Sequence, residues 1–456
     1  MPEKNEIYTV TARDITSEGM GVGHADEMAV FVNGLLPMET ADVRIIKKLK
    51  NYAIGRIENM ISQSEYRAVP VCPVFKECGG CTHMHMDYRG QLKYKTAHVA
   101  SCFKKFSGTD IVPLSCEASP EAFYYRNKIS LPVEKKDGKL NIGCYKKHSH
   151  SVIDAPVCYI AEKEFTEITL CIRNFLNENN ISIYDEVTHK GLVRHIVLRK
   201  SSLGQIMAAI VINGTSLPCS DMLIKKLSAF KNVSTVVLNI NREKGNVILG
   251  HKTVPIFGSG RIREKILGCV FDISLNTFLQ VNHAQTEQLY SYALSLLGND
   301  AEVVCDLYCG AGTITLNAAG KAARIYGVEI VPQAIEDAKK NALLNGIDNA
   351  EFICADCAEA LPEIIKKEGH IDAIIVDPPR KGLAASVISD IAKSGAAKVV
   401  YVSCDPATLA RDIKLFTQNG YTPLSAKPFD MFPQTGHVET VVLLSINKER
   451  NIYNGT

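Results

Sequence analysis

From about residue 302 onward the chain alternates short apolar runs with helical patterns, and this rhythm constrains the fold more than any other feature. Strands are predicted at 302–306, 324–328, 350–353, 371–376 and 398–402, and helices at 312–320, 332–345, 357–367, 383–394 and 406–418. Two further strands are predicted near 421–429 and 437–445. Strands that alternate with helices form mostly parallel sheets with helices on both faces. The C-terminal part is therefore predicted to be a doubly wound α/β domain.

The first 62 residues show a different pattern, with short strands and no helix. Strands are predicted at 7–10, 29–32, 43–47 and 52–57, and Gly19, Gly21 and Gly23 are expected to separate strands. Several short strands at this spacing are typical of a small β-barrel. The pattern leaves open whether the barrel only packs on the rest of the chain or is an OB-like oligonucleotide-binding module. Its basic residues are Arg44, Lys47, Lys48, Lys50 and Arg56.

The segment between these two parts mixes strand and helix patterns. A helix is predicted at about 87–106, and paired strands are predicted at 192–199 and 206–212. This mixture indicates an α+β domain. We therefore predict a multidomain protein with a barrel at 1–62, a central α+β domain at 63–268 and the doubly wound domain at 269–456.

Charge and composition exclude several classes of protein. The 51 basic and 49 acidic residues give a formal net charge of +2, so an RNA site must be a local basic patch. No apolar stretch reaches the ~20 residues of a membrane helix, and the N-terminus lacks a signal-peptide pattern. Fifteen cysteines, an odd number, favour reduced thiols over a disulfide framework. We expect a cytoplasmic protein with no membrane partner.

A glycine-rich turn follows the first strand of the alternating part. That strand ends at Asp306, and Cys309-Gly310-Ala311-Gly312-Thr313 leads into a helix. Ligands of open α/β sheets bind outside the carboxyl ends of the strands, where Glu329 can accept ribose hydroxyls and Asp356 can meet an adenine edge. The chain lacks a phosphate-binding loop and the full G-x-G-x-x-G spacing. These features favour a nucleoside cofactor without phosphates.

The last predicted parallel strand ends at a thiol. Cys404 lies between that strand and the helix that begins near Pro406, and Glu439 precedes the final apolar run. A helix N-terminus lowers the pKa of a thiol, so we expect a lowered pKa for Cys404. A nucleophile and a carboxylate base near a cofactor turn indicate covalent catalysis.

Five motifs occur along the chain in a fixed order and support a resemblance to a known family. They are Phe278-Leu279-Gln280-Val281-Asn282, Asp306-Leu307-Tyr308-Cys309-Gly310, Asp377-Pro378-Pro379-Arg380-Lys381-Gly382, Ser403-Cys404-Asp405-Pro406-Ala407-Thr408-Leu409-Ala410-Arg411-Asp412 and His437-Val438-Glu439. Together they resemble the RNA uracil-C5 methyltransferases of 23S rRNA and tRNA. The N-terminal segment is similar to the TRAM RNA-binding domain. Asp-Pro-Pro-Arg stands where methyltransferases of exocyclic amines usually carry Asn-Pro-Pro-aromatic, which favours methylation of a ring carbon.

The resemblance implies a site and a reaction. Cys404 would add to C6 of uracil, C5 would take the methyl group of S-adenosylmethionine, and Glu439 would then remove the C5 proton. One departure is Asp405, where many members carry Asn, and its charge is expected to raise the pKa of Cys404. The implied S-adenosylmethionine contacts are Gln280, Tyr308, Glu329, Asp356 and Asp377.

Four cysteines outside the alternating part form a second candidate site. Cys72, Cys78 and Cys81 follow a C-x5-C-x2-C spacing, and Cys158 lies farther along the chain. Four thiolates can hold a four-iron cluster or a tetrahedral zinc ion, but the spacing is not that of paired C-x2-C zinc motifs. It resembles the ribosomal members of the family, which implies a [4Fe-4S] cluster. Because methyl transfer needs no redox step, the cluster is expected to fold the central domain and to hold RNA.

The expected substrate is 23S rRNA. A tRNA uridine-C5 methyltransferase is an alternative, but tRNA-acting relatives are expected to lack the barrel and the cysteine cluster. A non-catalytic RNA-binding assembly factor is a second alternative, against which the presence of Cys404 and Glu439 argues. A redox iron–sulfur protein is not supported, because no flavin or electron-partner motif is found. We expect RNA as the macromolecular partner, no DNA, and a monomer.

Overall fold

Three β-sheets and one two-stranded hairpin organise the chain, which the computed structural model describes from residue 2 to residue 446. The first sheet has six strands and lies near the N-terminus, and the other two have seven strands each. No helix within the described residues is long and apolar enough to cross a membrane.

The N-terminal sheet closes into the predicted barrel. Its order is β1-β5-β6-β4-β3-β2, and it curls until the chain after β1 meets β3, where the Arg13 amide donates to the Val22 carbonyl at 2.8 Å. A Cβ atom at Gly23 would lie 2.4 Å from Val10 Cγ1, so only glycine permits this approach. The strands are β1 (Ile7–Thr11), β2 (Asp14–Ile15), β3 (Met20–Ala25), β4 (Met28–Asn33), β5 (Thr40–Lys48) and β6 (Tyr52–Ser62).

The expectation that Gly21 and Gly23 separate strands is wrong, because both lie inside β3. The same close packing explains Gly21, whose added Cβ would lie 2.4 Å from the Leu35 carbonyl oxygen. In this barrel, glycines inside a strand allow neighbouring segments of the chain to approach closely and do not indicate a turn.

The second sheet forms the core of the central α+β domain. Its order is β13-β12-β11-β10-β7-β8-β9, and the predicted strand pair appears as β10 and β11 in antiparallel register. Both strands are almost entirely buried, as their apolar runs require. The elements are α1 (Tyr88–Phe106), β7 (Lys128–Lys136), β8 (Lys139–Tyr145), β9 (Val152–Asp154), α2 (Glu164–Glu178), β10 (Val193–Lys200), β11 (Ile206–Ile212), α3 (Ser220–Leu227), β12 (Val233–Ile240) and β13 (Lys252–Phe257).

The third sheet is the predicted doubly wound domain. Its order is β18-β17-β16-β19-β20-β22-β21, with five parallel strands followed by two antiparallel ones. The elements are α4 (His283–Ser295), β16 (Ala301–Leu307), α5 (Thr313–Ala318), β17 (Ala322–Glu329), α6 (Pro332–Leu344), β18 (Ala350–Cys354), α7 (Cys357–Glu368), β19 (Ala373–Val376), α8 (Ala385–Lys393), β20 (Lys398–Ser403), α9 (Pro406–Gln418), β21 (Tyr421–Phe429) and β22 (Glu439–Ile446).

The strand order of this sheet fixes where a ligand can bind. β16 lies between β17 and β19, so the connections leave β16 in opposite directions and open a crevice at the carboxyl ends. The last residues of these strands therefore meet at one edge. The sequence placed its candidate residues at these strand ends, and the topology brings them to one place.

The domain boundaries remain a proposal. The boundary at 62 coincides with the end of β6, whereas the boundary at 268 falls in the turn of a hairpin, β14 (Ile262–Ile266) and β15 (Cys269–Ile273). The hairpin packs on α6, where the Asn345 side chain accepts from the Val270 amide at 2.8 Å. The hairpin therefore joins the central domain to the doubly wound domain.

A buried ion pair ties α1 to the segment that precedes β22. The Lys95 ammonium donates to the Asp430 carboxylate and to the Phe432 carbonyl, and both charged side chains are fully buried. Nearby, the Gln91 side chain exchanges hydrogen bonds with Gln434. These contacts fix the path of the chain that leads to Glu439.

Substitution of Asp430 by Ala is expected to destabilise the protein by about 3–5 kcal/mol, because it leaves the Lys95 charge buried without a partner. Urea denaturation measures the free energy of unfolding. The matched control is Asp390→Ala, which removes the exposed Lys393–Asp390 pair and is expected to cost at most about 1 kcal/mol. Equal losses in the two variants would contradict a structural role for the buried pair.

Candidate active site

A cavity of about 1390 Å³ opens at the carboxyl ends of the parallel strands. It brings together the candidate catalytic pair, Cys404 and Glu439, and the candidate cofactor residues, which the sequence indicated separately. The seven predicted residues that line it are Gln280, Tyr308, Glu329, Asp356, Asp377, Cys404 and Glu439.

The register between β20 and β22 places the catalytic pair side by side. Ser403 pairs with Thr440 across the antiparallel strands, so Cys404 and Glu439 occupy the next positions along them. Glu439 is 2% exposed, and one of its oxygens, Oε2, has no hydrogen-bond partner within the described residues. Cys404 is half-buried and reaches the same cavity. A thiol and an unengaged carboxylate therefore face one space.

The environment of Cys404 raises the pKa of its thiol to about 11. Burial is the main cause, the charges of Glu439 and Asp377 add to it, and Arg380 opposes it. The expectation of a lowered pKa is wrong, because desolvation outweighs the N-terminus of α9. Asp405, the departure from the family pattern, caps α9 by accepting from the Thr408 amide at 2.8 Å.

Three carboxyl groups at the carboxyl ends of the strands and on β22 hold their protons unusually tightly. Burial raises the pKa of Glu439 to about 8, and it raises the pKa of Asp377 and of Asp306 to about 7. Asp306 is fully buried and accepts from the Thr315 hydroxyl at 2.5 Å, while its Oδ1 has no partner within the described residues. The site therefore carries acids that can release or take up protons near neutral pH.

Substitution of Glu439 by Gln is expected to flatten the dependence of stability on pH. Glu439 has a pKa of about 8 in the folded protein against 4.5 for the free side chain. The unfolded chain therefore loses this proton first, and the free energy of unfolding falls as the pH rises from about 4.5 to about 8. Melting temperatures between about pH 5.5 and about pH 8.5 measure this slope.

The matched control for this variant is Glu363→Gln, at an exposed position on α7. The control is expected to retain the slope of the wild-type protein. A Glu439→Gln variant with that same slope would show that Glu439 is not desolvated in the folded protein.

The glycine-rich turn leaves its backbone open to a ligand. Gly310 and Gly312 have φ angles of 55° and 80°, which favour glycine, and nothing lies within 4 Å of an added Cβ at Gly310. The Gly310 amide donates to Glu329 Oε2 at 3.2 Å, and the Val331 amide donates to Glu329 Oε1 at 2.9 Å. These bonds fix the Glu329 carboxylate beside the turn, where a ribose can lie.

The other cofactor candidates come from three different parts of the chain. Asp356 caps α7 by accepting from the Ala358 amide at 2.9 Å and is exposed at the rim of the cavity. Gln280 lies on the segment before α4. The carbonyl of the next residue, Val281, accepts from the amide of Asn127 in the central domain at 2.8 Å. The central domain therefore helps to place the cofactor segment.

Sequence reasoning quoted Asp412 within a motif but did not give it a role. Its carboxylate accepts from the Tyr401 hydroxyl at 2.7 Å and from the Leu383 amide at 2.9 Å. An added Cβ at Gly382 would lie 2.4 Å from Asp412 Oδ2. Asp412 therefore holds the turn after Asp377 against β20, and its place at the end of the motif that begins at Ser403 gives no signal of this support.

The structure gathers the four cysteines of the second candidate site. The thiols of Cys158, Cys78 and Cys72, together with burial, raise the pKa of Cys81. A fifth thiol, that of Cys144, hydrogen-bonds Cys78 and lowers its pKa. The sequence missed Cys144, since its place on β8 carries no spacing that links it to the other four.

The thiols do not surround a single metal ion. Within residues 2–446, no three or more His, Cys, Asp or Glu side chains are arranged to hold a metal ion. The arrangement of the described residues therefore supports neither the expected iron–sulfur cluster nor the zinc alternative.

Comparisons with known proteins agree with this geometry. A family model described as tRNA (Uracil-5-)-methyltransferase matches residues 223–447, and a TRAM domain model matches residues 3–57. A Clostridium acetobutylicum protein described as an uncharacterized RNA methyltransferase is 40% identical over 448 residues, 97% of each chain. A Clostridium tetani protein with the same description is 40% identical over 447 residues, again 97% of each chain. The chain belongs to the RNA (uracil-5-)-methyltransferase family. It is a methyltransferase that depends on S-adenosylmethionine, with an N-terminal TRAM domain.

A solved structure supports the same fold for this RNA methyltransferase. The tRNA (uracil-54, C5)-methyltransferase of Pyrococcus abyssi, in complex with S-adenosyl-L-homocysteine, aligns with a TM-score of 0.77 and 26% identity. The alignment covers 96% of this chain and 99% of that one. Because the alignment covers nearly all of both chains, the barrel of this chain has a counterpart in that structure. The expectation that tRNA enzymes lack the barrel fails here, so the barrel does not distinguish an rRNA enzyme from a tRNA enzyme.

Proposed function

We propose that this RNA methyltransferase transfers a methyl group from S-adenosylmethionine to C5 of a uridine in 23S rRNA, through a covalent adduct between Cys404 and uracil C6. The adjacency of Cys404 and Glu439 in the cavity that also holds the cofactor residues supports this reaction. Uracil C5 is a poor nucleophile, and a thiolate at C6 converts the ring into an enolate. S-adenosylmethionine supplies the sulfonium methyl group.

Each protein group has one task in this mechanism. The Cys404 thiolate bonds to C6, and the C5–C6 electron pair moves toward O4. C5 then bonds to the methyl carbon, whose bond to sulfur breaks. Glu439 takes the C5 proton, and the pair from that C–H bond re-forms the C5–C6 double bond as the Cys404 sulfur leaves. Asp377 and Tyr308 line the path between the cofactor turn and the thiol.

The raised pKa values suggest an order of binding. At neutral pH the Cys404 thiol and most Glu439 carboxyl groups keep their protons, since their pKa values are about 11 and about 8. A bound sulfonium cation in this cavity would lower the pKa values of Cys404 and Glu439, because positive charge favours their charged forms. The cofactor is therefore proposed to bind before the thiol attacks.

The proposed target is 23S rRNA, and tRNA is the second candidate. The convergence of Cys72, Cys78, Cys81 and Cys158 supports the ribosomal type. The structural likeness to a tRNA (uracil-54, C5)-methyltransferase favours tRNA. We propose that the protein acts as a monomer in the cytoplasm, where its fifteen free cysteines would stay reduced.

Labelled S-adenosylmethionine is expected to transfer its methyl group to an unmodified 23S rRNA transcript, with 5-methyluridine as the product. Cys404→Ala is expected to lower the rate by at least about 10³-fold, because the covalent route is lost. Cys354→Ala, at the exposed cysteine that ends β18, is the matched control and is expected to retain the activity. Label in tRNA alone would promote the second candidate, and label in neither RNA would contradict the proposed reaction.

We also propose that Cys72, Cys78, Cys81 and Cys158 hold a [4Fe-4S] cluster. Anaerobically purified protein is then expected to show a broad absorbance band near ~400 nm and to contain about four iron atoms per chain. Cys81→Ser is expected to lose the iron, whereas Cys144→Ser is expected to keep it. Colourless protein that contains no iron after anaerobic purification would contradict the cluster.

A further inference from the structure

Two arginines of the active-site cavity have no protein partner. Arg126 and Arg380 both line the cavity, and within the described residues neither guanidinium forms an ion pair or a hydrogen bond with the protein. By contrast, Arg261 of the same cavity is bonded to Asp337 at 3.0 Å. Arg126 is half-buried, and a guanidinium withdrawn from water without an acceptor is costly unless a ligand supplies one, whereas Arg380 is exposed at the cavity. The cavity therefore has two donors that await an anionic group.

The backbone around Arg126 is fixed from both sides. The Arg126 amide donates to the Ile160 carbonyl at 2.7 Å, and the next amide, that of Asn127, donates to the Val281 carbonyl at 2.8 Å. One bond leads to the segment that carries Cys158, and the other leads to the cofactor segment that carries Gln280. Tyr125, the preceding residue, donates its hydroxyl to the Pro433 carbonyl at 3.0 Å. These bonds hold Arg126 in place without engaging its side chain.

Arg380 lines the same cavity as Cys404 and Glu439. It follows the Asp377-Pro378-Pro379 turn, and its charge opposes the raised pKa of both Cys404 and Glu439. Burial and the charges of Arg380, Lys95 and Arg126 lower the pKa of the exposed His437. Arg126, Arg380 and His437 line the same cavity as Glu439 and Asp377.

We infer that Arg126 and Arg380 form a clamp for the phosphates that flank the target uridine in the cavity that holds Cys404 and Glu439. The inference deepens the proposed function and rests on it. A uridine that enters this cavity must leave its stack and bring its sugar-phosphate backbone to the mouth. Guanidinium groups suit this contact, because their planar fork matches two phosphate oxygens.

The carboxylate of the cofactor is a second source of anionic oxygen, and position argues against it for Arg126. Arg126 lies on the side of the cavity formed by Gly80 and Tyr125, and its charge acts on Cys81 and Cys158. The ribose candidate Glu329 is instead bonded to the glycine-rich turn at Gly310. The affinity of the arginine variants for S-adenosylhomocysteine distinguishes the two sources.

The test measures binding of a labelled oligouridylate of about eight nucleotides to the full chain, with S-adenosylhomocysteine present, over a range of salt concentrations. Arg126→Gln and Arg380→Gln are each expected to weaken RNA binding about 10-fold. Each is expected to reduce the slope of log K against log salt by about 0.7, the value for one phosphate contact on a single strand. Arg126→Lys is expected to keep the slope and to lose part of the affinity, because a lysine keeps the charge without the fork.

Arg263→Gln is the matched control, since Arg263 is exposed on β14 and does not line the cavity. The affinity for S-adenosylhomocysteine, measured by calorimetry, is expected to stay at the wild-type value in all variants, which also shows that they fold. A loss of S-adenosylhomocysteine affinity with an unchanged salt slope would assign the arginines to the cofactor and overturn the clamp. Wild-type RNA binding that neither variant alters would also overturn it. A wild-type protein that binds no RNA would overturn the proposed function and the clamp together.

Discussion

The antiparallel pairing of β22 with β20 is the contact on which the site depends. The parallel strands alone deliver Asp377 and Cys404 to one edge, as any doubly wound sheet would. The antiparallel strand β22 adds Glu439, which is its first residue. Because Ser403 pairs with Thr440, Glu439 lies opposite Cys404. The Lys95–Asp430 pair anchors the segment before β22 to α1. The position of the base is therefore set by the packing of the central part of the chain on the sheet.

The same arrangement disfavours the charged forms of the acidic groups in the cavity. Glu439 and Asp377 are desolvated, the charges of both disfavour the thiolate of Cys404, and the charge of Asp377 disfavours ionisation of Glu439. A cationic methyl donor would stabilise these charged forms, because it adds positive charge among them. Arg126 and Arg380 would in turn stabilise the negative charge of the approaching phosphates. The chemistry proposed for the site therefore uses the positive charge of the methyl donor and the negative charge of the RNA phosphates.

The sequence predicted the periodic features of the structure and the strand ends that carry chemistry. The helices and strands after residue 300 appear within a few residues of their predicted limits, since their apolar spacing is regular. Close packing was not predictable, so the glycines of β3 were misread as turns. The pKa of Cys404 was misjudged because burial depends on neighbours distant in the chain. Cys144 and Asp412 were missed because they act only through residues that folding brings to them.

The measurement that tests the pairing of Cys404 with Glu439 most directly is the trapping of the RNA–protein adduct in the Glu439→Gln variant. With methyl donor and substrate RNA, this variant is predicted to accumulate a covalent adduct that survives denaturation. Mass spectrometry of its peptides is predicted to place a 5-methylated uridine on Cys404. An adduct on another cysteine, or a Glu439→Gln variant that turns over at the wild-type rate without an adduct, would contradict the account.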